Sequence, residues 1–179
     1  RLRKNGCLAL ATLLRCSATE LQSLYISNND IDDEGLEALL PELKNCHHLE
    51  ELFLSNNPTI TTRGWQSLAS ILESPNSNLE ELYIIRNNVD DEAAGAFANA
   101  LVNNHTLHVL DLDNNPSITA VGWEAFSKVL CDMSSVNATF LSNHTFRSVG
   151  LFTNPYGNIR PLLHLNQRDD KKEVATIKI

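Results

Sequence analysis

Five residues recur at one phase of this chain and carry most of its capacity for molecular recognition: Tyr25, Phe53, Tyr83, Asp111 and Phe140. Aromatic residues make up only 6% of the sequence, yet four of these five places hold one, so composition does not explain the row. Rings in such a row can stack down the ladder and stabilise a sheet, and exposed rings bordered by charge also have the make-up of a binding hot spot. The neighbouring places are acidic, with Glu50 and Glu80 three residues before the ring and Glu51 and Glu81 two before. On the other side lie Ser27, Ser55, Ile85, Asp113 and Ser142, with Arg86 one place further. An aromatic ridge flanked by acid fits a protein partner with a basic surface, which would neutralise the repulsion between Glu51 and Glu81.

Other candidate chemistry is weaker. Cys46-His47-His48 offers metal donors, but no second pair stands at zinc spacing, and the triplet falls where a helix would end, a favourable place for histidine. The paired acids Asp32-Asp33 and Asp90-Asp91 sit at expected helix starts, where capping accounts for them. There is no Gly-x-x-x-x-Gly-Lys-(Ser/Thr) loop, no Gly-x-Ser-x-Gly elbow and no His-Glu-x-x-His. The expectation is a binding protein and no enzyme, with no cofactor and no metal. A net charge of −8 disfavours nucleic acid and anionic membrane as partners, since phosphate recognition needs clustered Lys and Arg. No apolar run approaches the roughly 18 residues that cross a bilayer. Four cysteines without paired spacing (Cys7, Cys16, Cys46, Cys131) point to free thiols in a reducing compartment, hence the cytoplasm, with the nucleus left open. Three sequons, at Asn104, Asn137 and Asn143, carry little weight in so asparagine-rich a chain.

A nine-residue skeleton supplies the elements that must position the ridge. Leu49-Glu-Glu-Leu-Phe-Leu-Ser-Asn-Asn57 has leucine at its first, fourth and sixth places and asparagine at its ninth. It returns at Leu21, Leu79 and Leu107, and in frayed form as Val136-Asn-Ala-Thr-Phe-Leu-Ser-Asn-His144, so the steps are 28, 30, 28 and 29 residues. A fixed period in this range marks a solenoid of stacked units. The first half of each unit predicts a short strand whose apolar places point inward with period two. Stacked units pair these strands in parallel about 4.8 Å apart. Asn29, Asn57, Asn87 and Asn115 predict a column of side-chain amides that satisfy buried backbone groups, ending at His144.

The second half predicts a helix. Asp32, Thr61, Asp90 and Thr119 are N-cap types at one register, and Gly35, Gly64, Ala93 and Gly122 follow three residues on. The pairs Leu39 and Leu43, Leu68 and Leu72, Phe97 and Leu101, Phe126 and Leu130 continue the row as a buried stripe. Trp65 and Trp123 read as packing residues. Units two and four share Asn-Asn-Pro-(Thr/Ser)-Ile-Thr-x-x-Gly-Trp, whereas units one and three carry Ile31-Asp-Asp-Glu34 and Val89-Asp-Asp-Glu92. The chain therefore also repeats in pairs of 58 residues.

On these residues the chain resembles the ribonuclease-inhibitor-like class of leucine-rich repeats, over roughly residues 3–146. The resemblance implies an α/β solenoid curved into an arc, with parallel strands on the concave face and helices on the convex face. It implies a scaffold that binds a protein partner on the concave face. The class also includes the Ran GTPase-activating proteins and the sensor arms of NOD-like receptors, which supply the alternative readings. The proline-bearing variant is similar to repeats of algal proteins such as those of diatoms.

Residues 3–15 read as the helix half of a unit whose strand lies before residue 1, so a longer parent chain is expected. Full units start at 21, 49, 79 and 107, and a degenerate one at 136. Residues 147–179 are expected to form a degenerate terminal unit and a C-terminal helix serving as a cap. Within it, Gly150 stands at a helix start, Asn154-Pro-Tyr-Gly157 turns, and Leu162–Asn166 forms a partial strand.

Overall fold

The computed structural model describes residues 1–17, 20–74, 77–150, 159–168 and 170–178. Helix α1 (Arg3–Ser17) opens the chain. Four strand–helix units follow: β1 (Ser23–Tyr25) with α2 (Asp33–Asn45), β2 (Glu51–Phe53) with α3 (Thr62–Leu72), β3 (Glu81–Tyr83) with α4 (Asp91–Ala100), and β4 (Val109–Asp111) with α5 (Ala120–Leu130). Helices α6 (Val136–Leu141), α7 (Ile159–Leu165) and α8 (Lys171–Lys178) come after. The strands form one parallel sheet in the order β1-β2-β3-β4, with Leu24, Leu52, Leu82 and Leu110 in register. The period of two sends these leucines inward. Helices α1 to α5 pack each on the next, forming the second layer. Between the layers lie Leu52, Leu54, Leu82 and Ile84 from the sheet side and Leu39, Leu68, Phe97 and Phe126 from the helices, all buried, together with Trp65 and Trp123.

The ninth-place amides form the expected column. Asn57 Nδ2 donates to Leu54 O (2.9 Å) and Ile26 O (3.2 Å), while its Oδ1 accepts from the backbone N–H of Asn29 (3.0 Å) and Ile31 (3.1 Å). One unit on, Asn87 Oδ1 accepts from Asn57 N at 2.7 Å. Asn115 Oδ1 then accepts from both Asn87 N and Val89 N at 3.1 Å. Each amide thus ties one unit to the one before it.

The paired acids divide their labour. Asp32 and Asp90 cap their own helices, accepting from Gly35 N (2.8 Å) and Ala93 N (2.9 Å). The second acid reaches the helix of the following unit. Asp33 accepts from Thr61 N (2.7 Å) and Thr61 Oγ1 (2.6 Å). Asp91 accepts likewise from Thr119 N (2.7 Å) and Thr119 Oγ1 (2.6 Å), and from Gly122 N (3.0 Å). Thr61 accordingly heads α3 with no side-chain cap bond of its own. The 58-residue alternation is therefore an alternation of donor and acceptor units. A carboxylate lying over a helix start leaves no room for a Cβ, so Gly64 and Gly122 stand there. A Cβ on Gly122 would lie 2.7 Å from Asp91 Oδ1.

Burial pushes the Asp33 carboxyl up, but the two Thr61 bonds and Arg63 outweigh it and hold the group below the ordinary carboxylate range. Its stabilisation is present above the ordinary value of about 3.9 and is lost as pH falls through the lowered folded value. Asp33→Ala is expected to cost about 1–2 kcal/mol near neutrality, through the lost cap and the orphaned Thr61 N–H. In urea melts the gap to the wild type narrows as pH falls below about 3.9 and through the lowered folded value, where the carboxylate becomes protonated. A gap independent of pH would assign the loss to something other than this charge.

The fifth copy departs from its expected place. Val136–Leu141 is helix α6 with Ser135 as its cap, and Leu162–Leu165 belongs to α7, so neither is a strand. The pairing beside β4 is made ten residues further on. Arg147 N and Ser148 N donate to His108 O, Leu110 N donates to Ser148 O, and Leu112 N donates to Val149 O. Phe146 therefore takes the first-place role, buried with its ring 6.1 Å from that of Phe126. Gly150 falls at the fifth place, with φ +120°, and not at a helix start. His144 precedes this unit, so it is not the last member of the amide column. The turn expected at Asn154–Gly157 lies outside the described residues.

A second amide column, unforeseen in the sequence, runs just before the strands. Asn104 Oδ1 accepts from Thr106 N (3.1 Å) and Leu107 N (2.8 Å), and its Nδ2 donates to Leu72 O (2.9 Å). Asn143 Oδ1 accepts from Thr145 N and Phe146 N (both 2.9 Å), and its Nδ2 donates to Leu101 O and Asn104 O (both 2.8 Å). Two of the three sequon asparagines are thus buried frame residues.

Candidate functional site

Parallel register places Tyr25, Phe53, Tyr83 and Asp111 side by side at the ends of the four strands. Three of them form a continuous stack. The Tyr25 and Phe53 rings lie 4.2 Å apart at 9°, and the Phe53 and Tyr83 rings 4.5 Å apart at 3°. Strand spacing alone enforces this, because in-register strands set identical places about 4.8 Å apart. Each stacked pair adds roughly 0.2–1 kcal/mol to the sheet. Stacking occupies the ring faces and leaves the ring edges outward; Tyr25 remains 67% exposed.

The acids line one flank. Glu51 and Glu81 are Cα partners, and Glu50 and Glu80 precede them, both exposed. The repulsion expected between Glu51 and Glu81 is partly relieved inside the chain. Ser23 Oγ donates to Glu51 Oε2 at 2.8 Å and Tyr25 Oη at 3.4 Å, while Tyr83 Oη donates to Glu81 Oε2. Burial, the bond to Glu81 and the surrounding carboxylates push the Tyr83 phenol far up, so it stays a donor at every physiological pH. His108 Nδ1 lies 3.9 Å from Glu80 Oε2 and is the one basic group within ion-pair reach of these four acids among the described residues.

The remaining expected residues are not on this surface. Asp111 continues the row but is only 7% exposed, and Asp113 only 2%. Both carboxylates fill the space a side chain at Gly150 would take, with Asp111 Oδ1 2.7 Å and Asp113 Oδ1 2.5 Å from that Cβ position. Burial, with the Asp113 charge added, raises the Asp111 carboxyl above its ordinary value. Phe140 lies on α6, half-exposed and away from the row, because its segment is helical. Arg86 is exposed at the turn after β3, with φ +54°, matching the left-handed Asn28, Asn56 and Asn114 at the same place in other units. The fifth unit contributes Arg147, Ser148 and Gly150 in place of Asn137, Ala138 and Phe140. One signal for that shift was present: Asn104-His-Thr-Leu107 and Asn143-His-Thr-Phe146 are the same approach to a strand.

No described helix is long and apolar enough to cross a membrane, and no group of three or more His, Cys, Asp or Glu able to hold a metal occurs among the described residues. Cys7 and Cys46 are buried free thiols, and burial raises both, Cys7 to about 11.

A family model described as Leucine Rich repeat matches residues 18–40, 45–69, 76–98 and 103–127, more than half of the chain and one strand–helix unit each time. The chain belongs to the leucine-rich-repeat family. Its repeats are of the ribonuclease-inhibitor-like type. The NACHT, LRR and PYD domains-containing protein 5 of Mus musculus is 33% identical over 125 residues, covering 70% of this chain and 10% of that protein. The ribonuclease inhibitor of Mus musculus is 29% identical over 139 residues, covering 62% of this chain and 30% of that protein. The chain therefore spans a tenth to under a third of the length of these relatives. Among solved structures, the tropomodulin C-terminal domain of Caenorhabditis elegans superposes with a TM-score of 0.68 at 16% identity, covering 96% of this chain and 94% of that one, which shows a shared fold. Leucine-rich repeats of this kind are protein-interaction scaffolds and generally non-enzymatic binding modules.

Proposed function

We propose that the chain binds a basic protein segment on its strand face, inside the cell, through the edges of Tyr25, Phe53 and Tyr83 and the carboxylates of Glu50, Glu51, Glu80 and Glu81. The observation that supports this reading is the pairing of a rigid ring stack with four acids that meet one histidine and no Lys or Arg among the described residues. Stacking pre-organises the rings, so little side-chain entropy is lost when a partner covers them. The carboxylates would steer a cationic segment and form charge-assisted bonds once it is seated. Asp111 and Asp113, being buried, take no part, and Phe140 and Arg86 fall outside the patch.

The test is the double variant Tyr83→Ala, Glu81→Lys, titrated against an array of Arg- and Lys-rich peptides that the wild type retains. Retention is expected to weaken by about tenfold or more, the factor set by one lost hot-spot contact. The melting transition should stay nearly in place, since one stacked pair contributes about 1 kcal/mol at most. Equal retention by both proteins would move the interface off this face.

A second reading is that these repeats form one arm of a larger protein. The name of the mouse relative sets leucine-rich repeats beside other domains, and the chain matches a tenth of its length. Sequencing the parent transcript decides it.

A further inference from the structure

The second amide column ends on a charge. Asn166 is fully buried, and its Nδ2 donates to Asn143 O (3.1 Å) and Phe146 O (2.7 Å), continuing the pattern of Asn104 and Asn143. In those two, Oδ1 accepts a pair of backbone N–H groups from the turn into the next strand. Asn166 Oδ1 instead accepts from Lys178 Nζ, at 2.7 Å. The ammonium of α8 stands in for the backbone donors of a further unit.

The rest of its cup is made of acceptors. Lys178 Nζ donates to Leu130 O at the end of α5 (2.7 Å), and lies 3.4 Å from Asn143 O and 3.1 Å from His144 Nδ1. His144 Nε2 is 3.0 Å from Phe140 O. A carbonyl can only accept, so Nε2 carries the proton and Nδ1 presents a lone pair to the ammonium. The bond exists only while His144 is neutral. A proton on Nδ1 would leave two cations face to face with no acceptor between them. Lys178 cannot relieve the conflict by giving up its own proton, because burial brings it down only to about 8.

Among the described residues, few side chains of α8 are buried. It is eight residues long and buries only Val174 and Ala175, against α6. A helix this short has no stability of its own and depends on its anchors. Among the described residues, the other titratable groups around the cup are Cys131 at the end of α5, with Sγ 3.9 Å from Lys178 O, His105 after α4, and Lys171 at the start of α8, whose Nζ donates to Asn166 O (2.7 Å) and Arg168 O (3.0 Å). Lys171 adds positive charge.

We propose that α8 is an acid-released strap: protonation of His144 at Nδ1 expels the Lys178 ammonium from its cup and frees α8 from the end of the solenoid. The sign follows from the histidine. Burial first, then the charges of Lys178, Lys171 and His105, hold its folded value below the ordinary one, against the pull of the Phe140 bond. Docking is therefore fully stabilised above about pH 6.5 and is lost as pH falls through the lowered value.

Amide hydrogen exchange on the intact chain tests this between about pH 7.5 and pH 5, after correction for intrinsic rates. Protection of the Val174 to Ile177 amides should be lost on acidification, while Leu82 and Leu110 stay protected. In His144→Gln the same amides should show no step. A flat wild-type profile, or an equal step in His144→Gln, overturns the proposal. If His144→Gln leaves α8 undocked at every pH, the titration of the His144 ring decides. Lys178→Met should then raise its pKa, and an unmoved value also overturns the proposal.

Discussion

Asn57→Leu is expected to destabilise the protein by about 3–5 kcal/mol, more than a typical single substitution costs. Leucine matches the volume but none of the chemistry. Three backbone groups lose their partner, the carbonyl of Ile26 and the N–H groups of Asn29 and Ile31, while Leu54 O loses its shorter bond and keeps the one from Asn87 Nδ2 (3.2 Å). Each orphaned group costs about 1–3 kcal/mol, and local relaxation recovers part of the sum. Position along the column grades the effect. Asn29 is half-exposed, donates to Ser27 O (2.9 Å) and accepts from Leu2 N (3.2 Å), so Asn29→Leu should cost far less. Urea denaturation of both variants measures the gradient. Equal losses at the two sites would show that the amides do not act as a column.

Gly64→Ala is the second large effect, and its sign is the informative part. In an ordinary helix, replacing glycine by alanine gains about 1 kcal/mol. Here the new methyl would overlap the Asp33 carboxylate and come within 2.7 Å of Ile60 Cγ2. The expected outcome is a loss of about 2–3 kcal/mol, typical of overpacking a rigid site. A double-mutant cycle isolates the cause. In the Asp33→Ala background the carboxylate is gone and only the Ile60 contact remains, so the penalty should shrink by about 1 kcal/mol or more. Additive losses in the cycle would remove Asp33 from the explanation of the glycine.

Four units were legible because their signals agree. The inward leucines, the ninth-place asparagine and the helix stripe all keep one phase, so strands, helices and the sheet order followed from spacing. The ring row was legible for the same reason, since strand register converts sequence phase directly into spatial neighbours. The fifth unit was not. Val136–His144 imitates the skeleton in residue type, yet Ser135 caps it into a helix, and the segment that bridges to β4 substitutes Phe146 and Val149 for leucine. A pattern match sees residue types, whereas the chain follows hydrogen bonds, and Asn143 is committed to the approach of the strand and not to its exit. The burial of Asp111 and Asp113 was equally hidden, because it depends on the absent side chain of Gly150 in the next unit, a contact that no local window contains. The relief of Glu51 and Glu81 by Ser23, Tyr25 and Tyr83 was readable in hindsight, since the hydroxyls stand in the same two rows.

The reach of Asp33 to Thr61 and of Asp91 to Thr119 gives the array a parity. An odd unit offers a carboxylate forward, and an even unit meets it with a threonine and a glycine. Remove one unit, and Asp33 would face the start of α4, where Asp90 and Ala93 present a second negative charge and a methyl in place of Thr61 and Gly64. Remove two, and every junction is restored. A repeat protein built this way can gain or lose length only by whole pairs, so the smallest heritable change in its span is 58 residues.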